Sequence, residues 1–216
     1  MKRITFLTGF YGSGKTEIAL NLAIQKHANV VIDLDIINPY FRSREQTEVL
    51  KKHGIQLLSN QLKDGTHADM PYIGGEVFTP FVDTSLHAIY DLGGNDLGAK
   101  LLQQFGDYSV NEPFDLLFVI NPYRMETATV NQIIKLRQHI ESTSGETITG
   151  LINNSNLLKE TTTATILEGN AFLLEVSEAL HIPILYTTLE PRFLSLADQV
   201  AGEVIPFTRY FETSWN

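Results

Sequence analysis

The chain has 216 residues, which suits one α/β domain with a sizeable core, and its 43% hydrophobic and 19% charged residues are ordinary for a globular protein. It contains no cysteine, which excludes disulfides, thiolate nucleophiles and cysteine-bound metals. The formal net charge of −9 argues against a general grip on nucleic-acid backbones. No apolar run approaches the roughly 18 residues that cross a bilayer, so we predict a cytoplasmic protein without membrane contact.

Short apolar runs alternate with helix-like segments along the chain. The runs are rich in β-branched and aromatic residues and lie at 4–8, 30–33, 87–92, 115–121, 147–153 and 182–188. Apolar residues recur at helical spacing around 18–23, 130–136 and 172–180. This alternation predicts a three-layer α/β/α fold, with helices on both faces of a mostly parallel sheet. The carboxyl ends of the strands would then share one edge, where ligands bind in such folds.

The domain organisation is predicted to be simple, with a single domain over residues 1–216. Its least regular part is an insertion at 59–86, where glycines and prolines interrupt any periodicity. A stretch of this length is often a lid or a binding loop. A surface insertion without a chemical role is the equally supported alternative.

The first predicted strand is followed by the sequence GFYGSGKTE at 9–17. The pattern G-x-x-x-x-G-K-[ST] within it, between a strand and an amphipathic helix, is typical of a phosphate-binding loop. Its glycines let backbone amides approach the phosphates, and the following helix adds its positive N-terminal end. Lys15 is expected to reach the β- and γ-phosphates as a catalytic residue, and the Thr16 hydroxyl is expected to bind Mg²⁺. The predicted cradle consists of Gly9, Gly12, Ser13, Gly14, Lys15, Thr16 and Glu17.

Two further predicted strands end in the carboxylates that a Mg²⁺–nucleotide needs nearby. Asp33 and Asp35 lie at the end of the second run, and Asp91 lies at the end of the third. We favour Asp35 as the residue that orients the attacking water or binds a metal-bound water, with Asp33 in support, or the reverse. Aspartates that close a strand end are the structural alternative. The predicted metal ligands are Thr16, Asp33, Asp35 and Asp91.

The stretches GFYGSGKT, VVIDLDIINPY and IYDLGGND resemble the SIMIBI-type class of P-loop NTPases. This class includes the Min/Par partition ATPases, nitrogenase iron-protein-like ATPases, dethiobiotin synthetase and cobyrinic acid a,c-diamide synthase. The resemblance covers most of the chain in motif order, and it implies the three-layer fold, ATP or GTP with Mg²⁺ as cofactors, and hydrolysis of a phosphoanhydride bond. It also implies that Asp91 holds a metal-bound water, and that a glycine of the D-x-x-G arrangement senses the γ-phosphate.

One position departs from the pattern of this class. Many partition ATPases carry a lysine directly after the first glycine of the loop, and in a dimer this lysine reaches the partner's nucleotide. Phe10 stands at that position here, so a homodimer of this chain would lack the usual trans-acting lysine. We hypothesise that Arg42 or Arg44 supplies the missing charge, because a guanidinium is planar and permanently protonated. A salt-bridged helix start is the alternative.

Base recognition is expected where the fifth predicted run ends. This run closes with Asn153 and Asn154, without the Lys-x-Asp of Ras-like GTPases. In the resembled class an asparagine here bonds the base, commonly adenine, and an amide suits either purine. We therefore expect Asn153 or Asn154 to bind the base, with ATP favoured over GTP, although an asparagine turn is nearly as well supported. Pro191, after the last run, is expected to line the base pocket.

The segment VINPYRMET at 119–127 follows another predicted strand on the same edge. Asn121, Tyr123 and Arg124 are expected to project towards the nucleotide or a second substrate, and Thr127 is expected to cap the next helix. An ordinary Asn-Pro turn is the structural alternative.

Two classes of function fit these predictions. The first is a Mg²⁺-dependent ATPase or an ATP-using enzyme that acts on a small molecule. The second is a nucleotide-controlled switch that acts on a partner protein with slow turnover. The missing lysine favours slow unaided turnover, and the irregular segment 59–86 favours a second ligand.

Overall fold

The computed structural model describes residues 1–35, 44–59, 73–94 and 96–210, without the side chains of 44–46 and 59. The strands are β1 Ile4–Thr8, β2 Val30–Leu34, β3 Gln56–Ser59, β4 Ala88–Leu92, β5 Asp115–Ile120, β6 Gly150–Asn153, β7 Ile184–Leu189 and β8 Glu203–Pro206. The α-helices are α1 Lys15–Gln25, α2 Arg44–Lys52, α3 Thr79–Val82, α4 Asp96–Gln103, α5 Gly106–Ser109, α6 Val130–Ser144 and α7 Thr163–Leu180. Short 3₁₀ helices span Gly75–Phe78, Met125–Thr127, Leu158–Glu160 and Pro191–Gln199.

The strands form one 8-stranded sheet in the order β3-β2-β4-β1-β5-β6-β7-β8, and every neighbouring pair is parallel. All six predicted runs form strands, so the predicted parallel sheet is confirmed. The two strands that the sequence did not indicate, β3 and β8, are the sheet edges. Because β1 lies between β4 and β5, the loop after β1 lies at the centre of the carboxyl edge of the sheet. Strands β2 to β4 lie on one side of β1 and strands β5 to β8 on the other, so this is the switch point at which ligands bind in such folds.

Helices cover both faces of the sheet. On one face α1 and α2 pack over apolar residues of the central strands, together with Phe207 from the segment after β8. On the other face α4, α6 and α7 cover a second apolar cluster. That cluster contains Phe6 and Tyr90, whose rings stack with centroids 4.2 Å apart. Two apolar layers on one sheet produce the predicted three-layer architecture.

The irregular insertion is only partly described, since 60–72 lie outside the described residues. Its described end, 73–86, packs against the core rather than forming a loose surface loop. Val77 is fully buried and its carbonyl accepts a 2.7 Å hydrogen bond from the Tyr90 hydroxyl, while the Phe81 ring lies 5.6 Å from that of Phe105. None of the helices in the described ranges is long and apolar enough to cross a membrane.

Candidate functional site

The glycine-rich loop between β1 and α1 packs closely against the carboxyl ends of β5 and β6. Gly9 and Gly14 have positive φ angles of 148° and 92°. A Cβ atom at Gly9 would overlap the backbone carbonyl oxygen of Val119, and one at Gly14 would overlap the side-chain amide of Asn154. Both the backbone conformation and the close approach therefore require glycine at these positions.

Lys15, the first residue of α1, folds back over the loop. Its Nζ donates a 3.1 Å hydrogen bond to the Phe10 carbonyl, and the residue is only 6% exposed. Burial lowers the pKa of Lys15, while the negative charges of Asp91 and Asp35 oppose that shift. The ammonium group is thus held at the Phe10 end of the cradle, within the electrostatic reach of two carboxylates.

Thr16 and Asp91 join the loop to β4. The Thr16 hydroxyl donates a 2.6 Å hydrogen bond to Asp91 Oδ2, whereas Asp91 Oδ1 is buried and has no hydrogen-bond partner among the described residues. Burial raises the pKa of Asp91 to about 6, against the Lys15 charge and the Thr16 hydrogen bond, and the Asp35 charge adds to the rise. A buried carboxylate oxygen without a partner fits a site that a cation or its water completes.

The protein alone does not supply a full coordination shell at this point. No group of three or more His, Asp or Glu residues suited to holding a metal occurs in the parts of the chain that the structure describes. Mg²⁺ is commonly bound through one or two carboxylates, with phosphates and waters completing the octahedron. The Thr16–Asp91 pair therefore fits Mg²⁺ that arrives with a nucleotide.

The raised pKa of Asp91 predicts a pH-dependent stability. Folded Asp91 binds a proton more tightly than an ordinary aspartate, whose pKa is 3.8. Protonation of Asp91 therefore stabilises the folded protein at acid pH, and this stabilisation is lost as the pH rises through about 6. We expect the free energy of unfolding of wild-type protein, measured in urea without nucleotide, to rise by about 1 kcal/mol from pH 7 to pH 5 relative to Asp91→Asn. Parallel pH curves for the two proteins would contradict the burial of an ionisable group here.

The second pair of carboxylates lies next to this site. Asp33, in β2, is the register neighbour of Asp91 in β4. Its Oδ1 accepts a 2.9 Å hydrogen bond from the backbone N–H of Asp35, just beyond the strand end. Asp33 therefore shapes the turn, and Asp35 is partly exposed and near enough to affect the pKa values of Lys15 and Asp91. Asp35 is thus the more exposed of the two carboxylates, and its role towards a water or a metal ion stays a prediction.

The turn after β4 lies directly against the glycine-rich loop. A Cβ atom at Gly94 would be 2.7 Å from the backbone nitrogen of Tyr11, 2.8 Å from Lys15 Nζ and 2.9 Å from the Gly9 carbonyl oxygen. Contacts this short leave no room for any side chain. The resemblance implied a glycine of a D-x-x-G arrangement here without distinguishing Gly93 from Gly94, and the structure adds that the turn at Gly94 touches the cradle itself.

The two asparagines expected to bind the base differ in their contacts: Asn154 holds the loop, whereas Asn153 Nδ2 is buried and has no hydrogen-bond partner among the described residues. Asn154 Nδ2 donates a 2.7 Å hydrogen bond to the Ser13 carbonyl, and its Oδ1 accepts a 2.6 Å hydrogen bond from the Thr188 hydroxyl. Asn153 is completely buried, and its Oδ1 accepts hydrogen bonds from Ser155. Both ends of the Asn154 amide are thus engaged, because the amide bridges the loop to β7.

A narrow depression lies beside these asparagines, lined by Asn156, Thr188, Glu190, Phe193 and Phe207 among others. Pro191 begins the 3₁₀ helix Pro191–Gln199 next to Glu190. A contact between Pro191 and a base stays a prediction.

Glu17 was expected in the phosphate cradle, but its carboxylate contacts the backbone of the segment after β8. Its carboxylate accepts hydrogen bonds of 3.0 and 3.1 Å from the backbone N–H of Tyr210. One turn further along α1, Asn21 exchanges 2.8 Å hydrogen bonds with the backbone of Thr208. Glu17 therefore anchors the segment after β8 on α1, an interaction for which the sequence offers no local signal.

Two arginines after β2 were proposed to supply the charge of the missing lysine. Arg42 and the side chain of Arg44 lie outside the described residues.

The segment after β5 contacts the loop through Arg124. Arg124, which was expected to project towards the nucleotide or a second substrate, donates a 3.0 Å hydrogen bond from Nε to the Gly12 carbonyl. Thr127 does not cap α6, because its hydroxyl donates to the Asn121 carbonyl, and Thr129 forms the capping box instead.

A cleft of about 660 Å³ opens beside the loop, between the turn after β4 and helices α4 and α6. Phe10, Tyr11 and Gly94 form its inner wall, and Tyr11 is 57% exposed. His139 and Asp96, whose side chains are 2.6 Å apart, stand at its outer side. The cleft is directly continuous with the Phe10 end of the cradle.

Comparisons with known proteins agree with this fold. Family models give no match to the chain, and neither do curated proteins. Chloroplast FtsY from Physcomitrella patens superposes with a TM-score of 0.55 at 18% identity, over 87% of this chain and 58% of that one. Cell division protein FtsY from Thermotoga maritima gives a TM-score of 0.54 at 16% identity, over 86% of this chain and 61% of that one.

A third structure is the signal recognition particle receptor FtsY from Elizabethkingia anophelis in complex with GDP. It gives a TM-score of 0.51 at 15% identity, over 87% of this chain and 57% of that one. The chain spans about three-fifths of the length of these proteins. At such identities the likeness concerns the fold alone, and it agrees with the three-layer P-loop fold that the resemblance to SIMIBI-type proteins implied.

Proposed function

Given this SIMIBI-type P-loop fold, we propose that the chain is a nucleotide-controlled switch that binds a purine nucleoside triphosphate with Mg²⁺. The observation that carries the proposal is the 2.6 Å hydrogen bond from Thr16 to Asp91, beside the unpartnered Asp91 Oδ1 and the buried Lys15. A hydroxyl, a carboxylate and an ammonium group converge there at the N-terminus of α1. That combination suits a divalent ion and polyphosphate better than a structural turn.

Each group has a distinct role in this proposal. The backbone amides of Gly12 to Thr16 and the start of α1 bind the phosphate oxygens. Lys15 neutralises the β- and γ-phosphates from the Phe10 end of the loop. Thr16 and Asp91 hold the Mg²⁺, which neutralises phosphate charge when bound. Asp35 orients a water near the terminal phosphate.

The switch is preferred over an unregulated enzyme because of the turn after β4. Gly94 lies against Tyr11 and Lys15 with no spare space, and α4 begins two residues later at Asp96. A terminal phosphate that engages Lys15 has to be accommodated by this turn. The change is then passed to α4, which borders the open cleft with α6. The nucleotide state would thereby alter a surface that a partner can contact.

GTP is the first nucleotide to test, and ATP is its competitor. The similar FtsY structure from Elizabethkingia anophelis is described as a complex with GDP, which favours guanine. The sequence favoured ATP through Asn153 and Asn154, but the Asn154 amide is engaged by Ser13 and Thr188. The base would then lie over the surface beside Asn156 and Glu190, because the depression there, of about 10 Å³, has room for no more than a water.

Calorimetry with GTP, ATP and their diphosphates, with and without Mg²⁺, tests the proposal. We expect Mg²⁺ to strengthen triphosphate binding by at least about tenfold in the wild type and much less in Thr16→Val, because the variant removes an ion ligand. Thr84→Val, at an exposed turn, is the matched control. Limited proteolysis should cut within 36–45 or 92–100 at rates that differ between diphosphate and triphosphate. Absence of binding to either purine triphosphate would remove the proposal.

A second candidate function is supported by the 660 Å³ cleft, which is large enough for a small-molecule substrate beside the terminal phosphate. In that case the chain would be an ATP-using enzyme. Release of diphosphate would be stimulated by the small molecule, whereas proteolysis would be insensitive to the nucleotide alone. The same set of measurements therefore separates the two functions.

A further inference from the structure

Arg124 is the cation that the described structure brings against the outer side of the glycine-rich loop. We propose that its guanidinium neutralises the terminal phosphate of the bound triphosphate from within the same chain. It would thereby replace the lysine that many partition ATPases carry at the position of Phe10. The inference rests on the proposed function, because it assigns a specificity-determining residue to that site. Its primary support is the 3.0 Å hydrogen bond from Arg124 Nε to the Gly12 carbonyl.

The backbone that carries Arg124 is held firmly in place. Asn121, which is buried, donates from Nδ2 to the Asn156 carbonyl at 3.1 Å and accepts from the Tyr123 N–H at 3.1 Å. The Thr127 hydroxyl donates a 2.6 Å hydrogen bond to the Asn121 carbonyl. These bonds tie both ends of the segment to the sheet edge, so the backbone is ordered in advance and the entropy lost on binding a ligand is that of the exposed Arg124 side chain.

Tyr123 fixes the segment on its other side. Its hydroxyl donates a 2.6 Å hydrogen bond to the Thr165 carbonyl in α7. Arg124 closes a turn, because its backbone N–H donates a 3.2 Å hydrogen bond to the Asn121 carbonyl. With Tyr123 anchored on α7, this turn presents Arg124 to the loop, where its Nε reaches the Gly12 carbonyl.

The position along the loop indicates which phosphate Arg124 would meet. Lys15 Nζ binds the Phe10 carbonyl, and Arg124 binds the Gly12 carbonyl two residues further on. Because the loop lysine serves the β- and γ-phosphates, two cations converge on the terminal-phosphate half of the cradle. Asn154 already holds the carbonyl of Ser13, the residue after Gly12, and from there it bridges to β7. The α-phosphate and nucleoside would lie on that side of Gly12, which leaves the Phe10 side, with Lys15, for Arg124.

The guanidinium retains capacity for an anion. The hydrogen bond to Gly12 uses Nε, and a guanidinium offers five N–H donors in a planar fork. Within the ranges that the structure describes, no carboxylate lies within 4.0 Å of the Arg124 guanidinium to form a salt bridge. A phosphate can therefore be bound by two parallel hydrogen bonds without the loss of an existing ion pair.

The alternative is that Arg124 only braces the loop through Gly12. A brace would support diphosphate and triphosphate binding equally, whereas a charge aimed at the terminal phosphate would affect the triphosphate selectively. Arg124→Gln keeps a side-chain N–H donor but removes the charge. Arg124→Lys keeps the charge but loses the planar fork. Arg137→Gln, which removes an arginine paired with Glu141 on α6, is the matched control.

Calorimetry of these variants with Mg²⁺–GTP, Mg²⁺–ATP and the two diphosphates tests the inference, with thermal unfolding as a check on the fold. We expect Arg124→Gln to weaken triphosphate binding by roughly 10- to 100-fold and diphosphate binding by less than about threefold. Arg124→Lys should be intermediate, and Arg137→Gln should match the wild type.

The outcomes separate this inference from the function on which it rests. If the wild type binds triphosphate and Arg124→Gln binds it equally well, the inference is wrong and the proposed switch stands. If Arg124→Gln weakens both nucleotides by the same factor, Arg124 is a brace and the inference is also wrong. If the wild type binds no purine triphosphate, the proposed function and this inference are both overturned.

Discussion

We expect the Lys15→Met variant to bind a Mg²⁺–nucleoside triphosphate about 100-fold more weakly than the wild type. Methionine replaces the apolar stem of Lys15 in its buried position but cannot donate a charge-assisted hydrogen bond to the phosphates. The structure holds the Lys15 Nζ 3.1 Å from the Phe10 carbonyl, so the ammonium group is already at the cradle before the ligand arrives. Isothermal titration with GTP and ATP measures the change.

Lys51→Met is the matched control for Lys15, because Lys51 is exposed in the last turn of α2, away from the loop. It should bind nucleotide like the wild type. Circular dichroism should show the same secondary structure in all three proteins. Equal triphosphate affinity of Lys15→Met and Lys51→Met would remove Lys15 from the binding machinery.

The second large effect is expected from Gly9→Ala, which should lower the free energy of unfolding by about 3 kcal/mol. The new Cβ atom would overlap the Val119 carbonyl oxygen in β5, and a φ of 148° is unfavourable for alanine. The clash is with backbone at the centre of the sheet, where no side chain can rotate away. Urea denaturation without nucleotide measures the loss.

Gly145→Ala separates the two causes of this loss. Gly145 ends α6 with a φ of 76°, but a Cβ atom there would meet nothing within 4 Å. It should therefore lose only about 1 kcal/mol, the cost of the left-handed conformation. Similar losses in both variants would show that the loop moves away from Val119 without penalty, and that the close packing of the cradle on β5 is unimportant.

The central strands were predictable because each is buried on both faces. In β1, β4 and β5 the apolar run is unbroken or nearly so, as expected for strands covered by helices on both sides. The edge strands β3 and β8 were not predicted, since QLLS and EVIP are four residues long and carry polar or proline residues. Edge strands are commonly short and interrupted in this way, which weakens the local signal.

The glycine-rich loop was predictable for a related reason. Gly9, Gly14, Lys15 and Thr16 belong to one short segment, so their spacing alone describes the local geometry. The pairing of Thr16 with Asp91 follows because Thr16 stands at the start of the helix after β1, and Asp91 stands near the end of β4, the neighbour of β1. Local sequence and the general rule for parallel sheets are sufficient for that much.

By itself, the sequence determined the parallel α/β fold, the cradle and the acidic residue opposite it, because periodicity and motif spacing are local properties. Only the tertiary structure decided that Asn154 braces Ser13, that Gly94 lies on the loop and that Arg124 reaches Gly12. These contacts join residues that lie between 79 positions (Gly94 and Lys15) and 141 positions (Asn154 and Ser13) apart in the chain. They depend on strand order and on side-chain packing at the sheet edge, which no local pattern encodes.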